Sequence, residues 1–306
     1  MAKTIIDNNK LILNSDSTFK LVNWPEPKIK ALNEKVIALQ TTRLPLTTAP
    51  HLFSNKLNPL PKVYDKNSSY DHFNLGLHVG DNEESVKVNR HLLNQTLFHN
   101  INNKPINPEL KNSKLRKNSS LAVNNIQWLN QVHGNKVVTI SRLSTKLITA
   151  DASITRQKHL GLAIMTADCL PILLSHRDGD EIAAIHGGWR SLEAGIIKAT
   201  LDEMLSRPGD VIAWLGPCIG PQAFQVGKEV RDAFICQDSN LANGFIKQHS
   251  GKYLADLHFI ATHQLRILGV QYVATYPECT FNNENKYYSY RRNAITGRMA
   301  SVICKY

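Results

Sequence analysis

Three apolar segments that end in polar side chains decide the fold of this 306-residue chain. They are Gln131-Val-His-Gly134, Gly161-Leu-Ala-Ile-Met-Thr-Ala-Asp-Cys-Leu-Pro-Ile-Leu-Leu174 and Ile182-Ala-Ala-Ile-His-Gly-Gly-Trp-Arg190. The apolar runs are typical of buried strands, and the reactive groups His133, Cys169 and His186 fall where strands end. Their spacing is too wide for a local metal finger, so only tertiary folding can bring these groups together.

The composition is that of an ordinary globular protein with a basic balance. Hydrophobic residues make up 42%, and the formal net charge is +11. The lysines are scattered, many of them in the Asn/Lys-rich stretch 100–117, and no basic stripe or nucleic-acid motif is present. We therefore expect no nucleic-acid partner, and interpret the charge as an attraction for small anionic substrates.

Cysteine usage and apolar runs indicate the compartment. The 5 cysteines are odd in number and widely spread, which favours a reducing environment over a disulfide framework. The first ten residues lack the apolar core of a secretory signal. The longest apolar run, around 160–174, is interrupted by Asp168 and is too short to span a bilayer. We expect a cytoplasmic protein without membrane association, as a monomer or small homo-oligomer.

Outside the central segments, strands and helices alternate, which predicts an α/β fold. No internal repeat and no clear linker divide the chain. Polar residues 1–20 suggest a frayed extension or an extra edge hairpin. The predicted strands are 35–40, a short one over 74–81, 137–140, 211–215, 271–276, and two C-terminal strands over 287–293 and 296–304. The predicted helices are 83–97, 189–205, 226–234 and 254–268.

The two histidines and the cysteine suit two kinds of chemistry. As metal ligands they would hold zinc, or copper, with a fourth position open. Alternatively, Cys169 is a nucleophile with His133 or His186 as its base. The plain alternative is a buried core thiol beside turn-capping histidines. Asp168 is a candidate acid/base group or a support for the ligands, although it would also suit a purely turn-fixing role.

Candidate anion-binding groups lie near the same segments. The glycine pair before Trp189 precedes a predicted helix, and backbone N–H groups at a helix start favour phosphate. Arg190, Arg291, Arg292 and Arg298 could clamp an oxyanion through their forked donors. The alternative for each arginine is an ordinary solvated surface position.

Several motifs occur in an order that resembles one family. They are Gln131-Val-His-Gly134, Thr166-Ala-Asp-Cys-Leu-Pro171, His186-Gly-Gly-Trp-Arg190, Gly216-Pro-Cys-Ile-Gly220, Tyr290-Arg-Arg292 and Thr296-Gly-Arg298, with Asn74-Leu-Gly76 upstream. This set resembles the YfiH/laccase-domain family, whose members are called multicopper polyphenol oxidases or purine nucleoside phosphorylases. The resemblance implies one catalytic domain over 24–306 after an extension at 1–23, with loop insertions near 44–70 and 100–120.

The resemblance also implies a fold and an activity. The fold would be a layered α/β/β/α sandwich like that of certain toxin deamidases. Zinc would be bound by His133, Cys169 and His186, and Asn74 would belong to the substrate site. The implied reaction is phosphorolysis of adenosine, inosine and S-methyl-5'-thioadenosine to free base and ribose 1-phosphate, with adenosine deamination alongside. Leu44-Pro45 departs from the family's usual Gly-Gly, which predicts a changed pocket rim.

Two other activities stay open. A copper-dependent polyphenol oxidase would agree with the family's other name, but electron relay between several coppers needs His-x-His pairs, which this sequence lacks. A Cys/His thiol hydrolase would use Cys169 without a metal. Metal content separates the hydrolase from the metal-dependent enzymes.

Overall fold

Two β-sheets stacked face to face form the centre of the protein. The computed structural model describes residues 18–22, 24–25, 32, 35–44, 69–70, 72–102 and 125–306. Most of the predicted extension (1–23) and of the predicted loop insertions (44–70 and 100–120) therefore lies outside the described residues. Phe19–Leu21, inside that extension, pairs with Leu39–Thr41 as an edge strand.

The elements alternate along the chain. The strands are β1 (Phe19–Leu21), β2 (Val36–Thr41), β3 (Ile126–Gln127), β4 (Leu129–Asn130), β5 (Val137–Thr139), β6 (Ile148–Thr149), β7 (Ala152–Thr155), β8 (Gly161–Thr166), β9 (Leu170–His176), β10 (Ile182–Gly187), β11 (Val211–Leu215), β12 (Gln225–Val226), β13 (Phe245–Lys247), β14 (Tyr253–Ala255), β15 (Tyr272–Thr275) and β16 (Met299–Lys305). The helices are α1 (Glu83–Asn102), α2 (Trp189–Glu193), α3 (Ile196–Glu203), α4 (Lys228–Gln237) and α5 (Leu257–Ile267).

The first sheet has the strand order β1-β2-β16-β8-β3, and the second has the order β15-β11-β9-β10-β7-β5. Apolar side chains from their facing sides form one core cluster, which includes Ile164 of β8, Leu173 of β9 and Trp214 of β11. This face-to-face packing is the usual way in which two sheets hide their apolar sides. Strands β8 and β10 are buried at every position because both of their faces are covered.

Helices cover the two outer faces. Helix α1 packs on the first sheet through residues such as Leu93 and Leu97. Helices α2 to α5 pack on the second sheet, with Ile196, Phe234 and Ile260 in one cluster. The predicted α/β/β/α layering is therefore confirmed. Within the described part of the chain, no helix is both long and apolar enough to cross a membrane.

Three predicted elements differ from those in the structure. The predicted helix over 189–205 is broken into α2 and α3 by Gly195, which has φ +79° and so adopts the left-handed conformation that favours glycine. The predicted strand over 74–81 is a series of turns, because the side chain of Asn74 accepts a hydrogen bond from the N–H of Gly76. The predicted strand over 287–293 is also turns, and only its partner, β16, forms.

Helix α5 begins three residues later than the predicted start at 254, because Asp256 caps it by accepting the N–H of Phe259 at 3.0 Å. The preceding segment Tyr253–Ala255 is β14, the central strand of a small sheet with β12 and β13. A second small sheet joins β4 to β6 in parallel, and β4 leads directly into the loop that carries His133.

Candidate functional site

The loop after β4 presents His133 with an unusual backbone conformation. His133 has φ +61°, in the left-handed region. The carboxylate of Asp151 holds this loop by accepting the N–H groups of Val132, His133 and Gly134 at 3.3, 2.9 and 2.7 Å. The side-chain amide of Gln131 anchors the start of the loop to Met165 of β8. It donates to the backbone C=O of Met165 and accepts the backbone N–H of Met165, at 2.8 Å each.

Cys169 lies where the chain passes from the first sheet to the second. The turn between β8 and β9 requires a positive φ of 96° at Asp168. The Asp168 carboxylate is almost fully buried and accepts bonds from the Thr280 hydroxyl at 2.6 Å, the Ser289 hydroxyl at 3.0 Å and the Arg291 N–H at 2.7 Å. These contacts tie the turn to two C-terminal loops, so Asp168 has the bonding of a structural support for Cys169.

His186 lies near the end of β10, opposite Pro171 of β9. Its side chain is 3% exposed, and Nδ1 lies 2.9 Å from Oδ1 of Asp151. The Asp151 side chain is itself inaccessible to solvent. A carboxylate that faces Nδ1 favours a proton there, which leaves the lone pair of Nε2 for another partner.

The structure brings His133, Cys169 and His186 together. Their ligand atoms all lie within 4.8 Å of one another. Sγ of Cys169 is 3.7 Å from Nε2 of His133, and the two imidazole rings meet edge to face with centroids 4.6 Å apart. Tetrahedral zinc, with Zn–S of about 2.3 Å and Zn–N of about 2.1 Å, would place sulfur and nitrogen about 3.6 Å apart. The three side chains therefore fit a metal ion of this kind.

The protonation of this group also suits a metal. Burial opposes ionisation of the Cys169 thiol, but the neighbouring His186 and His133 outweigh burial and lower its pKa to about 6. Burial likewise opposes protonation of His186, yet Cys169 and Asp151 raise its pKa to about 9. Without metal the group therefore favours a thiolate beside an imidazolium at neutral pH, and a thiolate is the form of cysteine that binds metals.

The glycine pair after His186 has a steric role. A Cβ on Gly187 would lie 2.7 Å from the carbonyl oxygen of Leu170. A Cβ on Gly188 would lie 3.1 Å from both Sγ of Cys169 and Cδ2 of His133, and 3.6 Å from Cε1 of His186. Helix α2, which follows, has only five residues. The pair thus lets the backbone approach the ligand side chains closely, and the packing explains it without an anion.

The three side chains open into a cavity of about 690 Å³. This volume lies within the range of small-molecule sites, about 300–1,000 Å³. Its wall combines cationic, aromatic and aliphatic groups, among them Arg90, Arg190, Arg291, Arg298, His78, Trp128, Trp189, Phe224, Tyr290, Leu77 and Leu147. Among the described residues that line the cavity, Asp168 is the one carboxylate, so positive charge dominates this part of the wall.

The sequence-predicted binding residues divide into two groups. Arg190, Arg291 and Arg298 line the cavity. Arg292 does not, because its guanidinium donates to the carbonyls of Thr280, Phe281 and Tyr287 at 2.9, 2.7 and 2.6 Å. These contacts are those of a loop support, and the predicted role of Arg292 as an anion clamp stays a prediction.

Asn74 is also absent from the lining, so its predicted role as a substrate contact stays a prediction, while its observed contacts are supporting ones. The side chain is fully buried, and Oδ1 accepts the N–H of Arg298 at 2.8 Å while Nδ2 donates to Asp81 at 2.9 Å. Asn74 therefore positions the backbone from which Arg298 reaches the cavity.

Sequence reasoning missed Asp151 and Arg90. Arg90 on α1 donates from Nε to the carbonyl of Leu75 at 2.9 Å and stacks 4.0 Å above the ring of Trp128. Burial lowers the pKa of Arg90 to about 10. Burial, with the charges of Arg298 and Arg90, also lowers the pKa of His78. In the sequence, Arg90 has the pattern of a solvated helix position, and no spacing connects it with the cavity.

Fold and site together define a class: a layered α/β/β/α protein in which a His/Cys/His group capable of metal binding opens into a cationic cavity. A family model described as multi-copper polyphenol oxidoreductase laccase matches residues 102–305. The chain belongs to this family, the YfiH family. It is 37% identical over 282 residues to the purine nucleoside phosphorylase YfiH of Escherichia coli K12, covering 92% of this chain and 96% of that protein.

Two further comparisons agree. The purine nucleoside phosphorylase YfiH of Shigella flexneri is 40% identical over 236 residues, covering 76% of this chain and 86% of that protein. A crystal structure of a Neisseria meningitidis protein superposes with a TM-score of 0.75 at 33% identity, covering 94% of this chain and 99% of that one. The names of these curated relatives support an enzyme.

Proposed function

We propose that this protein is a zinc-dependent purine nucleoside phosphorylase that also deaminates adenosine. The observation that carries the proposal is the joint lining of the cavity, in which a His/Cys/His group, arginines and aromatic rings face the same space. Inorganic phosphate requires the cations, a purine requires flat apolar surface, and ribose lies between them in any productive complex. The names of the curated relatives support the same reaction.

Unpaired arginines support the phosphate part of the proposal. Within the described part of the chain, neither Arg90 nor Arg298 forms an ion pair with a carboxylate. Both guanidiniums are only partly exposed, and burial lowers the pKa of each. A half-buried cation without a carboxylate partner is costly even when it donates to carbonyls, and an anionic ligand would offset that cost. The proposal therefore places phosphate between α1 and the loop that carries Arg298.

The chain's own groups would act by position and charge. Arginines hold phosphate in line with the anomeric carbon and stabilise the charge that develops as the purine leaves. Trp189, Phe224 and Tyr290 supply flat surface for the base and exclude water around it. His133, Cys169 and His186 would hold the metal, and two nitrogens with one thiolate sulfur suit zinc. When bound, zinc supplies a Lewis acid that polarises oxygen ligands.

Phosphate dependence tests the proposal. Zinc-loaded protein is incubated with adenosine, inosine or S-methyl-5'-thioadenosine, with and without phosphate, and the products are separated by chromatography. We expect free base only when phosphate is present, together with ribose 1-phosphate from adenosine or inosine and 5-methylthioribose 1-phosphate from S-methyl-5'-thioadenosine. Adenosine should also give inosine without phosphate, and with phosphate that inosine should be converted further to hypoxanthine. Release of free base that does not depend on phosphate would exclude phosphorolysis, and the absence of inosine in the adenosine reaction without phosphate would exclude deamination.

A cysteine pair provides the matched variants. Cys169→Ala should lose zinc and turnover together while the fold persists, because Cys169 lies in a half-exposed turn at the cavity. Cys236→Ala, at an exposed position on α4, should keep both. Full activity in a metal-free Cys169→Ala protein would refute the metal-dependent mechanism.

The thiol hydrolase is the second candidate, and one observation favours it. Sγ of Cys169 lies 3.7 Å from Nε2 of His133, and the neighbouring histidines lower the thiol pKa to about 6 despite burial. A hydrolase would work without metal, so elemental analysis of purified protein separates the two. A multi-copper oxidase has less support, because the described residues bring together one such ligand group.

A further inference from the structure

Asp151 lies beneath the candidate metal ligands rather than beside the cavity. Its side chain is inaccessible to solvent and takes no part in the cavity lining. It precedes β7, whose neighbour β10 carries His186. This position lets one carboxylate reach both the strand of His186 and the loop of His133.

The two carboxylate oxygens are used by four donors. Oδ1 faces Nδ1 of His186 at 2.9 Å and accepts the N–H of His133 at 2.9 Å. Oδ2 accepts the N–H of Gly134 at 2.7 Å and the N–H of Val132 at 3.3 Å. An ionised carboxylate has about four acceptor positions and no donor, so this arrangement uses its full capacity.

Each bond constrains a ligand in a different way. The contact with Nδ1 selects the tautomer of His186 in which Nε2 carries the lone pair. The three backbone hydrogen bonds stabilise a loop in which His133 has a positive φ of 61°, a conformation that is unfavourable for residues other than glycine. Without these bonds the loop would relax, and Nε2 of His133 would leave its place 3.7 Å from Sγ of Cys169.

We propose that Asp151 is a positioning residue of the metal centre: its carboxylate sets the tautomer of His186 and, at the same time, holds the loop that presents His133. The inference rests on the metal-binding part of the proposed function and is independent of the nucleoside reaction. Substitution of a residue that orients metal ligands in this way commonly weakens metal affinity by about 10- to 100-fold.

Asp151→Asn is a sharp test because an amide cannot satisfy both sides. If the amide oxygen faces His186, the NH₂ group meets the N–H groups of Val132 and Gly134, and donor faces donor. If the amide is reversed, the NH₂ group faces Nδ1 of His186 and forces the proton onto Nε2, which then cannot bind metal. Either orientation disturbs one ligand while side-chain size is nearly unchanged.

Zinc affinity is measured by competition with a chromophoric chelator, and ligand geometry by the absorption spectrum of the cobalt(II)-loaded protein. We expect Asp151→Asn to bind zinc 10- to 100-fold more weakly and to show an altered cobalt spectrum. Asp238→Asn is the matched control. Asp238 also contacts a histidine, His263, at 2.6 Å and accepts the backbone N–H of Asn240 at 2.9 Å, but it supports no candidate ligand. It should keep wild-type affinity and spectrum.

The outcomes are distinguishable. Wild-type protein that binds no zinc would refute the metal centre itself. Wild-type protein that binds zinc, together with an Asp151→Asn protein of unchanged affinity and spectrum, would refute the role of Asp151 alone.

If the variant fails to fold by circular dichroism, the tautomer is measured in zinc-loaded wild-type protein by long-range ¹H–¹⁵N correlation of histidine side chains. A proton on Nδ1 of His186 would support the inference. A proton on Nε2 would overturn it.

Discussion

Gly188→Ala is the most informative single substitution at the candidate metal centre. Gly188 has φ −63° and ψ 154°, a backbone conformation that alanine adopts without strain. The added Cβ would lie 3.1 Å from Sγ of Cys169 and from Cδ2 of His133, and 3.6 Å from Cε1 of His186. The substitution therefore tests the packing of the ligand side chains and leaves the backbone preference aside.

The magnitude follows from these distances. Optimal contacts between heavy atoms are about 3.5–4.0 Å, so two ligand side chains must each move by roughly 0.4 Å or more. Metal sites tolerate ligand displacements of about 0.2 Å. Loss of affinity by about 10- to 100-fold is therefore expected, since this is the usual effect of disturbing a ligand's support. In the metal-free protein, overpacking costs about 1–3 kcal/mol and the stiffer unfolded chain returns about 0.4–1 kcal/mol.

The assay is zinc competition with a chromophoric chelator, accompanied by urea unfolding of the metal-free protein. Gly209→Ala is the matched control, because nothing lies within 4 Å of a Cβ at that position. The control should bind zinc normally and gain up to about 1 kcal/mol of stability. A Gly188→Ala protein with wild-type zinc affinity would refute the steric argument and the assignment of these three side chains as ligands.

Three further predictions concern charge and hydrogen bonding. In metal-free protein, the rate of Cys169 alkylation by iodoacetamide should have its midpoint near pH 6 and fall below that pH, because the histidines lower the thiol pKa to about 6 against burial. Zinc should suppress the reaction. A midpoint above pH 8, measured by mass spectrometry, would contradict the ion pair. Arg298→Gln should raise the KM for phosphate by about 10- to 100-fold in steady-state assays, because that factor corresponds to the free energy of a charged hydrogen bond. Arg292→Gln, outside the cavity, should leave that KM unchanged and lower the melting temperature. Asp168→Ala should lower the free energy of unfolding by about 2–4 kcal/mol in urea titrations, because three donors lose their acceptor; an unchanged value would mean that water replaces the carboxylate.

The residue pattern was sufficient to predict an α/β fold and the three reactive side chains, whereas the α/β/β/α layering was predicted from the family resemblance. Continuous apolar runs such as 161–166 predicted buried strands, and the structure buries every residue of β8. His133, Cys169 and His186 could be selected because each interrupts or follows such a run. The broken helix at Gly195 could not be predicted with the same certainty, because a glycine within a helical pattern is often tolerated.

Residues that act through others could not be predicted. Asp151 has the local pattern of any polar residue at a strand start, and no spacing connects it with position 133 or 186. Arg291 and Arg292 are neighbours of equal chemistry, but the loop turns one guanidinium to the cavity and the other to backbone carbonyls. Such distinctions depend on the direction of a side chain in a turn, which composition and periodicity do not encode.

The passage of the chain from one sheet to the other at Asp168–Cys169 has a consequence for the order of folding. Cys169 reaches His186 only when β9 has paired with β10, and it reaches His133 only when β8 has anchored Gln131. The complete ligand group therefore exists only after the two sheets have stacked, so an ion bound by this group would not be the nucleus around which the chain collapses. If the group binds metal as proposed, a chain made in a cell short of metal should still reach its folded form and bind the ion afterwards, through the open cavity, without unfolding.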